Sequence, residues 1–491
     1  MATRRTSVQN LRQIRADWRQ VVEDCTAYST TERLAKIREA DKYSEDQVFM
    51  LSYCAQVTVV DSIRRKIKPL STSAKHKEYL VHTQQAKHPE AIYNGHPADL
   101  TGPSIAIYHP IFAKFQQALS QTPLPGDIPH EDLDSASLFI SLITQYYTTE
   151  PERQYAISSV VEALLGPSFV FRETLAETAY LSVATAPELE KLRNRSCMPS
   201  FLLEISGPYL TVSGAIYVIT ERLTDFISLV PLLSSQAPLG HASAHDKLTY
   251  QIAHFFQCLR ECSDQLAAEY LKMDPMDIVD ERILLPAPHF SSFSNAHHEY
   301  KLTYLQRLSP SRSERTVFLA KAERAGQPTI DCIVKFASAY CADVHNIVRE
   351  AGAAPRLLYY EFVPSVGKFC VVTEFVHEQE GARLTSAGIQ TLQNAVGALH
   401  ARSHVFGDLR DANILVDGQG NPNLIDFDWS GIEGNVFYLM NINERIGWVR
   451  GGVQAGGRIT RNHDIAMLRK FLDAQNQPSI SSNGATRLAA E

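Results

Sequence analysis

The strongest constraint on this chain is a pair of short apolar runs, Ile414-Leu415-Val416 and Asn423-Leu424-Ile425, separated by Asp417-Gly418-Gln419-Gly420-Asn421-Pro422. Gly, Asn, Asp and Pro supply the backbone conformations that a chain reversal needs, so the pattern reads as a β-hairpin. Such a hairpin sets Asn413 at one end and Asp426 at the other, both facing one site. Upstream, Ile389, Leu392, Val396 and Leu399 recur at helical spacing behind a Thr385 or Ser386 N-cap. A buried helix therefore delivers the chain into the polar loop Phe406-Gly407-Asp408-Leu409-Arg410-Asp411-Ala412.

Asn413 lies five positions after Asp408, and Asp426 thirteen positions after Asn413. Turn formation explains any one of these residues but not both intervals together. A carboxylate that orients and deprotonates a hydroxyl, with an amide and a second carboxylate to hold Mg²⁺, is the set that phosphoryl transfer requires.

On these residues the chain resembles the protein-kinase-like superfamily, from residue 300 to 472. The two intervals match the catalytic loop D-x-x-x-x-N and the metal motif D-F-G. Phe406-Gly407-Asp408 stands in place of His-Arg-Asp, and Ile425-Asp426-Phe427-Asp428-Trp429-Ser430-Gly431 is closer to the choline-kinase and aminoglycoside-phosphotransferase branches. The combined wording also looks like the fungal-type protein-kinase-like proteins, and that likeness extends upstream to Ile92-Tyr93-Asn94-Gly95-His96-Pro97 and Ile107-Tyr108-His109-Pro110-Ile111-Phe112. The resemblance implies an α+β fold, a protein-kinase-like bilobal domain with a reduced C-lobe. It also implies ATP and Mg²⁺ as cofactors and a hydroxyl acceptor on a protein or a small molecule.

The resemblance assigns roles residue by residue. Asp408 is the base and Arg410 the charge that offsets the transferring group; Asn413, Asp426 and Asp428 are metal ligands. Lys335, in the β-rich run Asp331-Cys332-Ile333-Val334-Lys335-Phe336, stands where a strand lysine holds the nucleotide phosphates, with Thr316-Val317-Phe318-Leu319-Ala320-Lys321-Ala322 as its partner strand across a Gly326 turn. Phe369 to Val376 reads as the strand into an interlobe hinge, where backbone groups of Glu374, Phe375 and Val376 meet an adenine. Asp464, on a helix near the C-terminus, resembles the buried acid that bonds the catalytic-loop backbone.

Four departures accompany the match. The helix that should offer a Glu to Lys335 carries His345 there, with Asp343 and Glu350 as neighbours. Residues 308–315 read LSPSRSER, without a glycine-rich loop, which leaves Arg312 or Arg315 as phosphate contacts. The loop arginine of His-Arg-Asp is Gly407, so a phosphorylated activation segment has no reader. Residues 447–457 are glycine-rich and lack the A-P-E motif of a peptide platform. These departures support an alternative, a pseudokinase scaffold that binds nucleotide weakly or not at all.

The 491 residues suffice for two or three domains, and 44% hydrophobic with 21% charged residues is an ordinary globular composition. A net charge of −7 argues against an overall nucleic-acid binder, although Arg445, Arg450, Arg458 and Arg461 are placed to line a nucleotide or substrate. No signal peptide or membrane span is read, so an intracellular location, cytoplasmic or nuclear, is expected. Eight scattered Cys read as reduced thiols, with Cys258 and Cys262 one helical turn apart in a packed face. Residues 1–285 read as a mostly helical domain with a small β-sheet and as the place for a protein partner; 286–298 as a linker; 299–476 as the kinase-like domain; 477–491 as a disordered tail. Glu204, in a hairpin strand, lacks the Lys that a nuclease-like E-x-K would need.

Overall fold

The computed structural model describes residues 92–93, 102–121, 123, 126–166, 196–206, 209–218, 221–231, 243–272, 287–295, 298–309, 316–379, 381–440, 442, 448 and 453–476. The expectations for Asn94 to Pro97, for Arg312, Arg315, Arg445 and Arg450, and for the 477–491 tail lie outside these residues, as do residues 1–91 of the expected helical domain. The described residues contain seven α-helices and fourteen strands in four sheets, an α+β architecture. No helix among them is long and apolar enough to cross a membrane.

The first part packs helices α1 (Ile111–Ser120), α2 (His130–Ile143), α3 (Glu150–Leu165) and α4 (Ser243–Lys272) with a four-stranded sheet. Along α4, Leu248, Ile252, Phe255, Phe256, Leu259, Cys262 and Leu266 are buried, the stripe that their three- and four-residue spacing dictates. Arg260 on α4 forks onto Asp132 of α2 at 2.7 and 3.0 Å and reaches the Leu164 carbonyl of α3 at 3.1 Å, so one guanidinium ties three helices. The sheet order is β1 (Ile92–Tyr93), β4 (Glu221–Pro231), β3 (Tyr209–Val218), β2 (Ser200–Ser206), with β1 parallel to β4 and the other neighbours antiparallel. Gly214 on β3 is required, because a Cβ there would collide with Ile105 and Phe112. Glu204 pairs with Thr211 in the β2–β3 ladder. The six described cysteines are free thiols, and Cys258 and Cys262 are buried in α4.

The second part is built on a six-stranded antiparallel sheet in the order β5 (Ser292–Asn295), β6 (His298–Arg307), β7 (Thr316–Glu323), β8 (Ile330–Ala337), β10 (Lys368–Glu374), β9 (Leu357–Val363). The two-residue alternation of a strand sorts β8: Cys332, Val334 and Phe336 are buried on one face, while Ile333 and Lys335 turn to the other.

The expected linker at 286–298 is corrected by this sheet. His289 N–H donates to the Ile107 carbonyl at 3.0 Å, Phe290 packs edge-on against Phe336, and Ser292 already begins β5. One apolar cluster runs from Ile105 and Phe112 through Phe293 to Phe318, Val334, Phe336 and Val372. The physical reason is in the residues themselves: Pro and Ser suggested an exposed connector, but Phe290 and Phe293 are large apolar side chains that burial stabilises by about 1.5–3 kcal/mol each. The helical part and the back face of the sheet therefore share a core.

Against the opposite side lies a smaller layer with its own cluster, in which α5 (Ala342–Glu350), α6 (Ser386–Ala401) and α7 (Arg461–Asn476) pack around Phe406, Phe427 and Leu424. Thr385 is the N-cap of α6, its hydroxyl accepting from Gly388 N–H at 3.1 Å. The expected hairpin forms as β12 (Ile414–Val416) and β13 (Pro422–Leu424). Its turn is closed by Asp417, whose carboxylate accepts from the amides of Gln419 and Asn421 at 2.9 Å each, and its tip is tied to the helix cap by the Thr385 N–H to Gly420 carbonyl bond of 3.1 Å.

Candidate functional site

The polar loop leaves β11 (His404–Val405), which pairs with β14 (Gly431–Ile432), and enters a buried collar. Asp464 of α7 accepts from Phe406 N–H at 2.8 Å and Gly407 N–H at 2.9 Å, with His400 Nε2 3.2 Å away. Asp464 is therefore the buried loop-holding acid expected for it. Gly407 has φ +87°, and a Cβ would press on Ile459 and on the Trp429 carbonyl, each at 3.1 Å. A side chain at 407 would therefore be strained by the positive φ and would have to displace these neighbours.

Beyond the collar, Asp408 and Arg410 are almost completely buried. Arg410 pairs with Asp408 through both Nε and Nη2, the latter at 2.9 Å. Asn413 Nδ2 donates to the Asp408 carboxylate at 2.8 Å and to its carbonyl at 2.9 Å. The guanidinium also lies 5.2 Å over the Trp448 ring, within cation–π range. Sequence reasoning aimed Arg410 at a phosphate; the structure turns it onto the neighbouring carboxylate, because a bidentate pair two residues apart forms without any chain movement.

The hairpin carries the chain to the second carboxylate pair. Ile425 N–H donates to the Asn413 carbonyl at 3.0 Å, and Asp426 then takes φ +65°, a left-handed conformation that Asp tolerates better than most residues. From β8, Lys335 Nζ meets Asp426 Oδ1 at 2.5 Å and Asp428 Oδ1 at 2.7 Å. Burial works against its charge, yet the two carboxylates outweigh that penalty and hold the lysine above its ordinary pKa.

Between the two acids, Phe427 is buried with its ring 5.3 Å from Phe406 and stacked on His345 at 4.5 Å and 11°. His345 is fully buried, with Nε2 2.8 Å from the Pro355 carbonyl and Nδ1 2.5 Å from the Tyr340 hydroxyl. Burial lowers its pKa to about 4, so the ring is neutral. His345 thus serves as an aromatic prop for Phe427. The neighbouring helix acid Glu350 pairs with Arg402, and the partners of Lys335 are Asp426 and Asp428.

At the end of β10, Glu374 N–H donates to the Arg356 carbonyl at 3.0 Å and Phe375 N–H to the Asp331 carbonyl at 2.9 Å; the Glu374 carboxylate pairs with Arg356 at 2.7 Å. The amides of Glu374 and Phe375 are thus committed to the protein, which narrows the expected adenine-binding set of Glu374, Phe375 and Val376. Of the four expected arginines, Arg461 pairs with Glu433 at 2.5 Å and Arg458 lies 6.0 Å over the Phe437 ring.

Two clusters result: Asp408–Arg410–Asn413, and Lys335–Asp426–Asp428. Two residues that sequence reasoning passed over complete the collar, Tyr438 and Ser430, and their only local signal is an aromatic and a serine downstream of Asp428. Among the described residues no group of three or more His, Cys, Asp or Glu side chains is arranged to hold a metal ion. The hard oxygens of Asp426 and Asp428 nevertheless already converge on one cation, the Lys335 ammonium, which is the donor chemistry a Mg²⁺ ion takes in company with nucleotide phosphates. Compared with known proteins, the chain matches no protein-family model and no curated sequence.

Proposed function

We propose that the chain is an ATP- and Mg²⁺-dependent phosphotransferase of protein-kinase-like, bilobal architecture, transferring the γ-phosphoryl group to a hydroxyl acceptor on a protein or a small molecule. The observation that carries this reading is the meeting of Lys335 with Asp426 and Asp428 from a strand 91 residues upstream of Asp426. The resemblance assigned the three residues their roles separately, and a chance assignment has no reason to bring them to one point.

Mg²⁺ held by Asp426, Asp428 and Asn413 would neutralise charge on the β- and γ-phosphates. Lys335 supplies a cation that exchanges its carboxylate partners for phosphate oxygens. Asp408 orients the acceptor hydroxyl and receives its proton at a carboxylate oxygen. Arg410 and Asn413 already fill at least three of the roughly four acceptor positions of that carboxylate, which suits it to orientation more than to strong proton removal. A loose phosphoryl-transfer transition state asks chiefly for positioning, so this suffices.

The second reading, a pseudokinase scaffold, is favoured by the same saturation of Asp408 and by His345 in place of a helix acid. One paired measurement separates the two: nucleotide affinity and ³²P transfer on wild type and Asp408→Asn. The enzyme reading expects nucleotide affinity nearly unchanged and transfer reduced by about 10²- to 10⁴-fold. Nucleotide binding with no transfer above the variant's background would leave the scaffold; no stabilisation by millimolar Mg²⁺-ATP would overturn the phosphotransferase and leave a scaffold that binds no nucleotide.

A further inference from the structure

We infer that Tyr438 and Ser430 are positioning residues for Asp408, and that through them the segment after the metal motif sets the orientation of the base. This rests on the phosphotransferase reading of the site.

The peptide groups of Phe406 and Gly407 lead directly into Asp408. Their two amides donate to Asp464, at 2.8 and 2.9 Å. Their two carbonyls accept from the other side, Phe406 from Ser430 Oγ at 2.8 Å and Gly407 from the Tyr438 hydroxyl at 3.1 Å. Every backbone polar group of this buried pair therefore has a side-chain partner. The Gly407 carbonyl belongs to the peptide plane whose nitrogen is that of Asp408, so holding it fixes ψ of Gly407 and φ of Asp408. Those two torsions aim the Asp408 side chain. A glycine at φ +87° has little steric preference of its own, and an unpinned plane there would be free to rotate.

The two halves of the collar have different origins. Asp464 belongs to α7, within the apolar cluster around Phe406. Ser430 and Tyr438 belong to the stretch between the metal motif and α7. Tyr438 is held there by its ring, 5.6 Å from Trp429, 6.1 Å from Trp448 and 5.7 Å from His463, whose Nδ1 is 3.3 Å from the hydroxyl. Burial also keeps the hydroxyl protonated, with its pKa pushed above the ordinary tyrosine value, so it remains a donor. The ring packs and the hydroxyl aims, and the two contributions can be removed separately.

The test uses the full chain with Tyr438→Phe, which keeps the ring, and Ser430→Ala. Each is expected to lower kcat for transfer by about ten- to a hundredfold, the scale on which a misplaced group acts, while nucleotide KM holds and the melting temperature falls by only a few degrees, the cost of one stranded carbonyl. Amide exchange at Phe406, Gly407 and Asp408 should speed up in both, and the double variant should fall short of the product of the singles because both pin one peptide pair. Wild-type kcat and exchange in Tyr438→Phe would overturn the inference, as would a loss confined to KM. Should the wild type show no transfer, the phosphotransferase reading fails, and the exchange comparison still decides whether the two hydroxyls hold the loop. Ser430→Ala, a smaller excision, carries the same decision if the aromatic variant folds poorly.

Discussion

At Asp408 the carboxylate is enclosed by Arg410 and Asn413 behind the collar made by Asp464, Ser430 and Tyr438, whereas Asp426 and Asp428 share one lysine reaching across from the sheet. The first arrangement is local: partners two and five residues away lie on the same loop, and the whole group is buried. The second spans two layers, and its side chains keep some contact with solvent, from 15% at Lys335 to 32% at Asp428. A short-range, desolvated network cannot rearrange without leaving charges unpaired, but a lysine on a four-carbon stem can trade one anion for another. One region is preset and the other is exchangeable.

The largest effect should come from breaking the preset region. Asp464→Ala would strand the buried amides of Phe406 and Gly407, and a loss of about 3–5 kcal/mol is expected, measured by denaturant unfolding. A loss below about 1 kcal/mol would mean that the collar is looser than its geometry.

Next in size is an acid effect on the exchangeable region, where His345 props Phe427 between the two carboxylates. Its pKa falls from 6.5 to about 4 in the fold, so the unfolded chain takes up the proton first. Stability from this group is complete above about pH 6.5 and is lost as pH falls towards 4, by up to about 3 kcal/mol. Unfolding curves for wild type and His345→Leu should converge across that window, and parallel curves would refute the assignment.

The smallest effect sharpens the contrast most. In Lys335→Met the two carboxylates lose their resident cation, and Mn²⁺ should bind without nucleotide about tenfold more tightly than in wild type, about 1.4 kcal/mol. Calorimetry or Mn²⁺ paramagnetic resonance reads it. Equal affinities would mean that the lysine does not compete for the pair.

Local patterns made much of this legible. The hairpin, the Thr385 cap and helix α6, and the alternation that turns Lys335 away from the core all follow from residues within one turn or one strand of each other, whereas Asp464, which bonds amides 57 and 58 residues away, was legible only through the resemblance. What stayed hidden depends on long-range placement. The Tyr438 hydroxyl meets a carbonyl 31 residues away, and Arg410 is turned by a neighbour that a motif cannot orient. Strand β4 was missed because Glu221, Arg222 and Asp225 interrupt its apolar alternation. The shared core escaped notice because Pro and Ser around Phe290 suggested a connector, and only the tertiary fold shows what those rings face.

Strand β8 is a common wall between that core and the site, with Cys332, Val334 and Phe336 on one side and Lys335 on the other. A slip of one residue against β7 or β10 would exchange the two faces and drive the ammonium into the aromatic cluster, at a cost of several kcal/mol for an unpaired buried ion. The helical part, by filling the back of the sheet, thus proofreads the register on which the lysine depends. Damage to its packing, for example at Phe112 or Phe255, would reach the site as a misaligned strand, without touching any of Lys335, Asp426 and Asp428.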